Sequence, residues 1–188
     1  DMVYNGDIKK GRKAFIVLGL PSSGKSSVIT TQLLKENQAF LVDNDEAKKT
    51  IFEYDNGWGS GIVHRESGFI SLELEKRVMD GSNLVFPKVG SSVNSIRNLM
   101  NRLKEKGYSV DIHLVDVTPE TAMSRMLKRF IKDNRFLDPR LISDYGAMPI
   151  EVYEELKGES NEYSRWSNEV KEGENAILIE KGNGSNQE

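Results

Sequence analysis

The chain has 188 residues, 29% of them charged, a net charge of −3 and no cysteine. That length suits one domain with a full core, and zero cysteines exclude a disulfide framework, a thiolate zinc site and a cysteine nucleophile. The slight acidity gives no overall field to draw nucleic acid or anionic lipid, and no apolar run approaches the roughly 20 residues of a membrane helix. The N-terminal residues carry no secretory h-region either. A single soluble domain is therefore expected over residues 1–188, with its core at about 13–180 and a polar tail at 181–188.

Taken in chain order, residues 13–18 form an apolar, β-branched run that reads as a buried strand, and residues 26–36 read as a helix. AFLVD (39–43) reads as a second strand, followed by a short helix from 46 to about 52. EYDNGWGSG has glycines and no period, which predicts a loop. From 63 to 79, Ile70, Leu74 and Val78 recur every four residues, as in a helix. NLVFP is a third strand. Residues 92–106 place Val93, Ile96, Leu99 and Leu103 on one helical face that stops at Gly107. YSVDIHLVDV is a fourth strand, and Thr118-Pro119 caps and starts a helix carrying Met123, Met126, Leu127 and Phe130. Beyond a basic loop and further helical pieces, AILIE (176–180) reads as a fifth strand. The alternation predicts an α/β fold: a phosphate-loop NTPase-like parallel sheet of about five strands, covered by helices on both faces.

Ligands of such sheets bind at the carboxyl ends of the strands. There the first strand runs into Gly19-Leu20-Pro21-Ser22-Ser23-Gly24-Lys25-Ser26, a complete GxxxxGK[ST] phosphate loop (Walker A) between strand and helix. Its backbone N–H groups would wrap a β-phosphate at a helix N-terminus, Lys25 would neutralise the β- and γ-phosphates, and Ser26 would be a ligand of Mg²⁺. Gly19, Ser22, Ser23, Gly24, Lys25, Ser26 and Ser27 are the expected nucleotide contacts. The competing reading is a Gly-Ser turn with a solvated lysine.

The second strand ends in Asp43-Asn44-Asp45. An aspartate here could hold Mg²⁺ or take a proton from a hydroxyl nucleophile, and the same residues would also serve as a helix N-cap and acidic first turn. Asp45 is expected to be functional in one of these ways, and Asp43 is a further metal and substrate candidate. Arg125, Arg129, Arg135 and Arg140 crowd the 118–140 segment, and Arg125 and Arg129 share one helix face. Arginines carried over a nucleotide balance charge in phosphoryl transfer, whereas a solvated basic face would look the same in sequence. Neither Asn-Lys-x-Asp nor Leu-Ser-Gly-Gly occurs, which weakens a GTPase switch or a transporter ATPase.

The phosphate loop together with VDNDEAKK, EYDNGWGSGIVHRES, GSNLVFPKVG, GYSVDIHLVDVTPE, RFIKDNRF and EYSRWSN resembles the zeta toxins, phosphate-loop kinases of toxin–antitoxin systems. The resemblance implies phosphorylation of the 3′-hydroxyl of UDP-N-acetylglucosamine in the cytoplasm, with ATP or GTP as donor and Mg²⁺, and an antitoxin or immunity protein as partner. It makes Lys25 the phosphate-binding lysine, Asp45 the base that takes the sugar hydroxyl proton, and Arg129 and Arg135 the arginines on the transferring phosphoryl group. His64, Glu66 and Ser67 fall where the family contacts its acceptor, although a polar helix start explains them equally. Glu73 stands in for an acidic helix residue that binds sugar hydroxyls, with Glu75 as its rival. Trp58, with Tyr54 and Asp55, could close on a uracil or sugar ring, or simply anchor its loop.

One departure stands out. Where better-studied members carry Glu-Gly-Thr-Gly-Arg after the third strand, this chain has Pro87-Lys88-Val89-Gly90-Ser91, as in a branch of the family with a Pro-x-Val-Gly stretch. Lys88 could contact a diphosphate instead. The missing glutamate leaves room for another small-molecule or polynucleotide kinase with a different acceptor. His113, inside the fourth strand among apolar neighbours, reads as structural.

Overall fold

The computed structural model describes residues 7–171 and 173–184, with only the backbone described at His64. Six strands form one sheet in the order β2-β3-β1-β4-β5-β6. They are β1 (Lys13–Leu18), β2 (Phe40–Leu41), β3 (Leu84–Lys88), β4 (Ser109–Asp116), β5 (Glu162–Ser167) and β6 (Ile177–Asn183). β1 lies in the interior, hydrogen-bonded in parallel to β3 and β4. β2 and β5 extend the parallel set, and β6 closes the edge antiparallel to β5. The α/β class follows the sequence reading, with two differences. EYSRWS is a strand although its charged and hydroxyl residues give it no apolar run, and the run read as the fifth strand is the sixth, turned antiparallel by a short return. β6 also takes in residues 181–183 of the expected polar tail; residues 185–188 lie outside those described.

The burial of β1 explains its composition. With helices on both faces, every side chain from Ala14 to Leu18 is interior, so the run has no polar alternation. Ala14, Ile16 and Leu18 face one core with Ile96, Leu99 and Leu103 of α4 (Val93–Glu105) and Val152, Tyr153 and Leu156 of α7 (Met148–Leu156). Phe15 and Val17 face the other, with Ile29, Leu33 and Leu34. Each such large side chain contributes about 1.5–3 kcal/mol by leaving water, so the strand that carries the loop is among the best-fixed backbone in the molecule. A third cluster, Leu20, Val117, Ala122, Met126 and Ile142, sits at the carboxyl end of the sheet. It seats α5 (Pro119–Asp133) and α6 (Arg140–Tyr145) beside the loop.

The helix after the loop opens with a π turn over Ser26–Thr30 before α1 (Thr31–Glu36). α2 (Asn44–Lys48) is short and starts two residues earlier than the sequence pattern suggested, because Asp43 caps it by accepting from Asp45 N at 2.9 Å. The EYDNG stretch is not plain loop but a kinked 3-10 segment, Phe52–Gly57, with Asp55 and Asn56 left-handed. α3 (His64–Val78) follows and packs on α2.

Candidate active site

Residues 19–26 turn over the carboxyl end of β1. Ser22 (φ 63°) and Gly24 (φ 91°) are left-handed, a geometry that lets consecutive N–H groups converge and that glycine tolerates best. A Cβ on Gly24 would collide with Asn168 Nδ2. Lys25 Nζ folds back over the loop, donating to Gly19 O at 2.7 Å and Leu20 O at 2.9 Å. Burial pulls its pKa down to about 8, against the pull of the Asp43 and Asp45 carboxylates. The charges of those two aspartates are therefore felt at the lysine. Ser23 Oγ is buried without a hydrogen-bond partner among the described residues. Ser27 Oγ donates to Gly24 O at 3.0 Å and so caps the turn.

The strand-end aspartates divide their work. Asp43 serves as the N-cap, and burial, with the neighbouring Asp45 charge, raises its pKa despite the backbone hydrogen bond. Asp45 keeps a half-exposed carboxylate, whose Oδ2 accepts from Arg135 Nη2 at 3.0 Å while Lys48 stands 3.6 Å from Oδ1. The cap and the chemical candidate thus coexist, one on each residue. Mg²⁺ would be held by Ser26 and Asp43. Among the described residues no three acidic or imidazole groups cluster, and a hydroxyl with one carboxylate is the donor set of an ion that takes its remaining ligands from phosphate and water.

Arg135 arrives from across the molecule. α5 ends at left-handed Asn134, and the chain then lies against the 52–58 segment: Phe136 N donates to Asn56 O, and Asn56 Nδ2 donates to Asn134 O at 2.7 Å. Trp58 stacks on Phe136 with centroids 4.2 Å apart and planes within 9°, and meets Phe130 edge-on. Burial opposes the Arg135 charge, but Tyr54 and Asp45 outweigh it and hold its pKa up. Arg129 lies one turn before the end of α5. Burial and the Arg135 charge press its pKa down, and its ion pair with Asp133 is loose at 3.9 Å. The two arginines thus share one corner, with Asp45 at 3.0 Å from Arg135 and Asp133 at 3.9 Å from Arg129, and both are forked donors of the kind that bind phosphate.

The expected acceptor residues fare unequally. Lys88, at the end of β3, donates to Asn44 Oδ1 at 3.2 Å, and burial lowers its pKa against the pull of Glu75 and Asp43. Glu73 is not brought to the site: it sits on the outer face of α3, bonded to Arg77 at 3.1 Å. Its rival Glu75 points inward, buried, accepting from Arg102 at 2.7 Å and 3.1 Å. The helical period decides this, since two residues rotate a side chain by more than half a turn. Ser67 is buried, Glu66 and Asp55 are exposed, and the His64 side chain lies outside the described residues. Trp58 has one face taken by Phe136, so it is at least the anchor of its loop. His113 is structural as read: its Nδ1 meets Ser164 Oγ at 2.7 Å inside the sheet, and burial drops its pKa to about 4.

Two residues escaped the sequence reading. Arg125 stood only as part of a basic helix face, and Asn168 only as the last letter of EYSRWSN; both touch the loop, across 102 and 145 residues. A cleft of 770 Å³ opens beside them between α5 and the segment after β5, with Gly24, Ser27, Lys128, Arg129 and Lys171 on its walls.

The sequence profile described as Zeta toxin matches residues 5–157. A search of curated protein sequences found no match. Among solved structures, one from the PezAT chromosomal toxin–antitoxin system of the human pathogen Streptococcus pneumoniae superposes with a TM-score of 0.69 at 16% identity. It covers 96% of this chain and 75% of that one. The AvrRxo1-ORF1:-ORF2 structure with ATP gives 0.70 at 17% identity, over 90% of this chain and 57% of that one. A gluconokinase from Sinorhizobium meliloti 1021 gives 0.54 at 16%, over 87% and 86%. At these identities the likeness is one of fold, and this chain spans little more than half the length of the AvrRxo1 relative.

Proposed function

This chain belongs to the zeta toxin family, and from that premise we propose that it is a phosphate-loop kinase that moves the γ-phosphoryl group of ATP or GTP to a hydroxyl of a nucleotide sugar, UDP-N-acetylglucosamine at its 3′-oxygen foremost. The reading rests above all on one observation: an aspartate at the mouth of the loop is met at 3.0 Å by an arginine delivered from the far end of α5. In this reading Lys25 leaves the Gly19 and Leu20 carbonyls for the β- and γ-phosphates. Ser26 and Asp43 would hold Mg²⁺, which when bound would supply charge neutralisation to the phosphates. Arg135 swings from Asp45 to the γ-phosphoryl group, where Arg129 joins it.

Freed of its partner, the Asp45 carboxylate accepts the proton of the acceptor hydroxyl. The hydroxyl oxygen bonds to Pγ, the bond from Pγ to the bridging oxygen breaks, and the diphosphate leaves. The consequence would be growth inhibition, with an antitoxin or immunity protein as partner, as the name of the pneumococcal system suggests for its own toxin. A second reading, a kinase with another acceptor, is favoured by Pro87-Lys88, where no carboxylate is available to the sugar. Mass spectrometry of the purified protein with ATP, Mg²⁺ and UDP-N-acetylglucosamine decides between them. A phosphorylated UDP-sugar is expected; turnover of another alcohol but of no UDP-sugar would hand the case to the second reading.

A further inference from the structure

Ser23 O, in the middle of the phosphate loop, receives two side-chain donors from outside the loop. Asn168 Nδ2 donates to it at 2.8 Å, and Arg125 Nη1 at 3.3 Å. The two donors are themselves tied together, since Arg125 Nη2 donates to Asn168 O at 2.6 Å and reaches Val170 O at 3.3 Å. Asn168 is buried, and its own N–H donates to Asp116 O at 2.9 Å, which roots the assembly in the end of β4. Among the described residues three carbonyls and no carboxylate accept from this guanidinium, an arrangement that suits a planar fork and not an ammonium.

A trans peptide places its C=O and N–H on opposite sides. A Ser23 carbonyl drawn outward by two donors therefore turns the N–H of Gly24 the other way, into the concave side of the loop. Gly24 must be glycine for this to work, because it is left-handed and lies against the Asn168 amide. We propose that Arg125 and Asn168 form a clamp that presets the Ser23–Gly24 peptide plane for phosphate binding, making both positioning residues for the donor triphosphate. The clamp also fixes the register of α5 against the loop, one helical turn before Arg129. The proposal rests on the phosphate-loop reading of the function.

The test is titration of ATP, adenosine and inorganic tripolyphosphate into wild type, Asn168→Ala, Asn168→Asp, Arg125→Lys and Lys25→Ala, with thermal unfolding to show that each variant is folded. Loss of the amide donor should weaken ATP and tripolyphosphate roughly three- to tenfold, the scale of one such hydrogen bond, and leave adenosine unchanged. Asn168→Asp should be worse than Asn168→Ala, although it is the better steric match, because a carboxylate repels the Ser23 carbonyl. Its deficit should shrink between pH 8 and pH 5 as the new carboxyl gains a proton it can donate. An Asn168→Asp protein that is folded and binds tripolyphosphate like wild type would overturn the clamp while leaving the phosphate loop intact. Wild type that binds neither ATP nor tripolyphosphate would overturn the phosphate-loop reading, and the clamp with it.

Discussion

The two sides of the site are built differently. On the donor side, the phosphate loop hangs from a strand buried from Ala14 to Leu18, its lysine is desolvated, and side chains from α5 and from just beyond β5 hold its backbone. On the proposed acceptor side, the 52–67 segment leaves Phe52 95% and Ile62 75% exposed, holds Asp55, Asn56 and Gly57 left-handed, and is fastened through buried Tyr54 and Val63 and the Trp58–Phe136 corner. A phosphate is the same on every nucleotide, so one rigid backbone shape serves; acceptors differ, and the groups that choose them stand on segments with fewer packing constraints. Perturbations on the donor side should therefore cost more, and act on binding and chemistry together.

The sharpest test of that asymmetry is Lys25→Ala. Nothing else in the loop bridges two phosphates, so turnover should fall by a factor on the order of a thousand, with any growth arrest, while the fold survives. The pH dependence follows from the same residue. Burial lowers its pKa from the ordinary lysine range to about 8, so the free protein carries the charge below that pH and loses it above. Apparent affinity for ATP should hold to about pH 8 and decline as the pH rises through it, and the decline should vanish in Lys25→Ala. Equal pH profiles for the two proteins would remove Lys25 from donor binding.

Asp45→Asn probes the seam between the two sides. It keeps shape and much of the Arg135 contact but cannot accept a proton, so turnover should fall about a hundredfold with ATP affinity nearly intact. Parallel losses of affinity and rate would instead make Asp45 a metal ligand and move it wholly to the donor side.

The same contrast governs what could be read from the chain. The phosphate loop was legible because its glycines, lysine and serine answer to local backbone geometry, and β1, β3, β4 and α4 because apolar period survives in sequence. β5 was not, since a strand whose exposed and half-buried residues include Glu162, Arg165 and Ser167 has no apolar signature; it is a strand because β4 offers it a free edge. Asn168 and Arg125 were illegible as loop contacts for a related reason: their partner is a backbone carbonyl, which any residue provides. Glu73 and Glu75 are equal as acidic residues in the sequence, and only the helix phase separates the solvated one from the buried one.

Lys88→Ala tests whether the acceptor side has rebuilt what the missing glutamate would have supplied. Removing a charge-assisted contact to a diphosphate should cost about 1 to 3 kcal/mol, felt in acceptor KM more than in kcat, with KM for ATP unchanged. An unchanged acceptor KM would place the diphosphate elsewhere and leave Lys88 as a half-buried partner of Asn44.

The smallest effect is expected at Trp58, where the comparison can be turned on itself. If its indole is an anchor, its stacking on Phe136 holds the corner that presents Arg135 to Asp45, and its loss loosens a transition-state group without touching any substrate. Trp58→Ala should then lower kcat several-fold, on the scale of the 0.5–1.5 kcal/mol of an aromatic pair, and leave both KM values in place. Trp58→Phe should restore most of the rate, because a phenyl ring still stacks on Phe136. If instead the open face of the indole receives the ring of the acceptor, acceptor KM should rise in Trp58→Ala and kcat should stay. In that outcome the 52–58 segment binds substrate directly, and the arginine corner owes its order to Tyr54 and Asn56 alone.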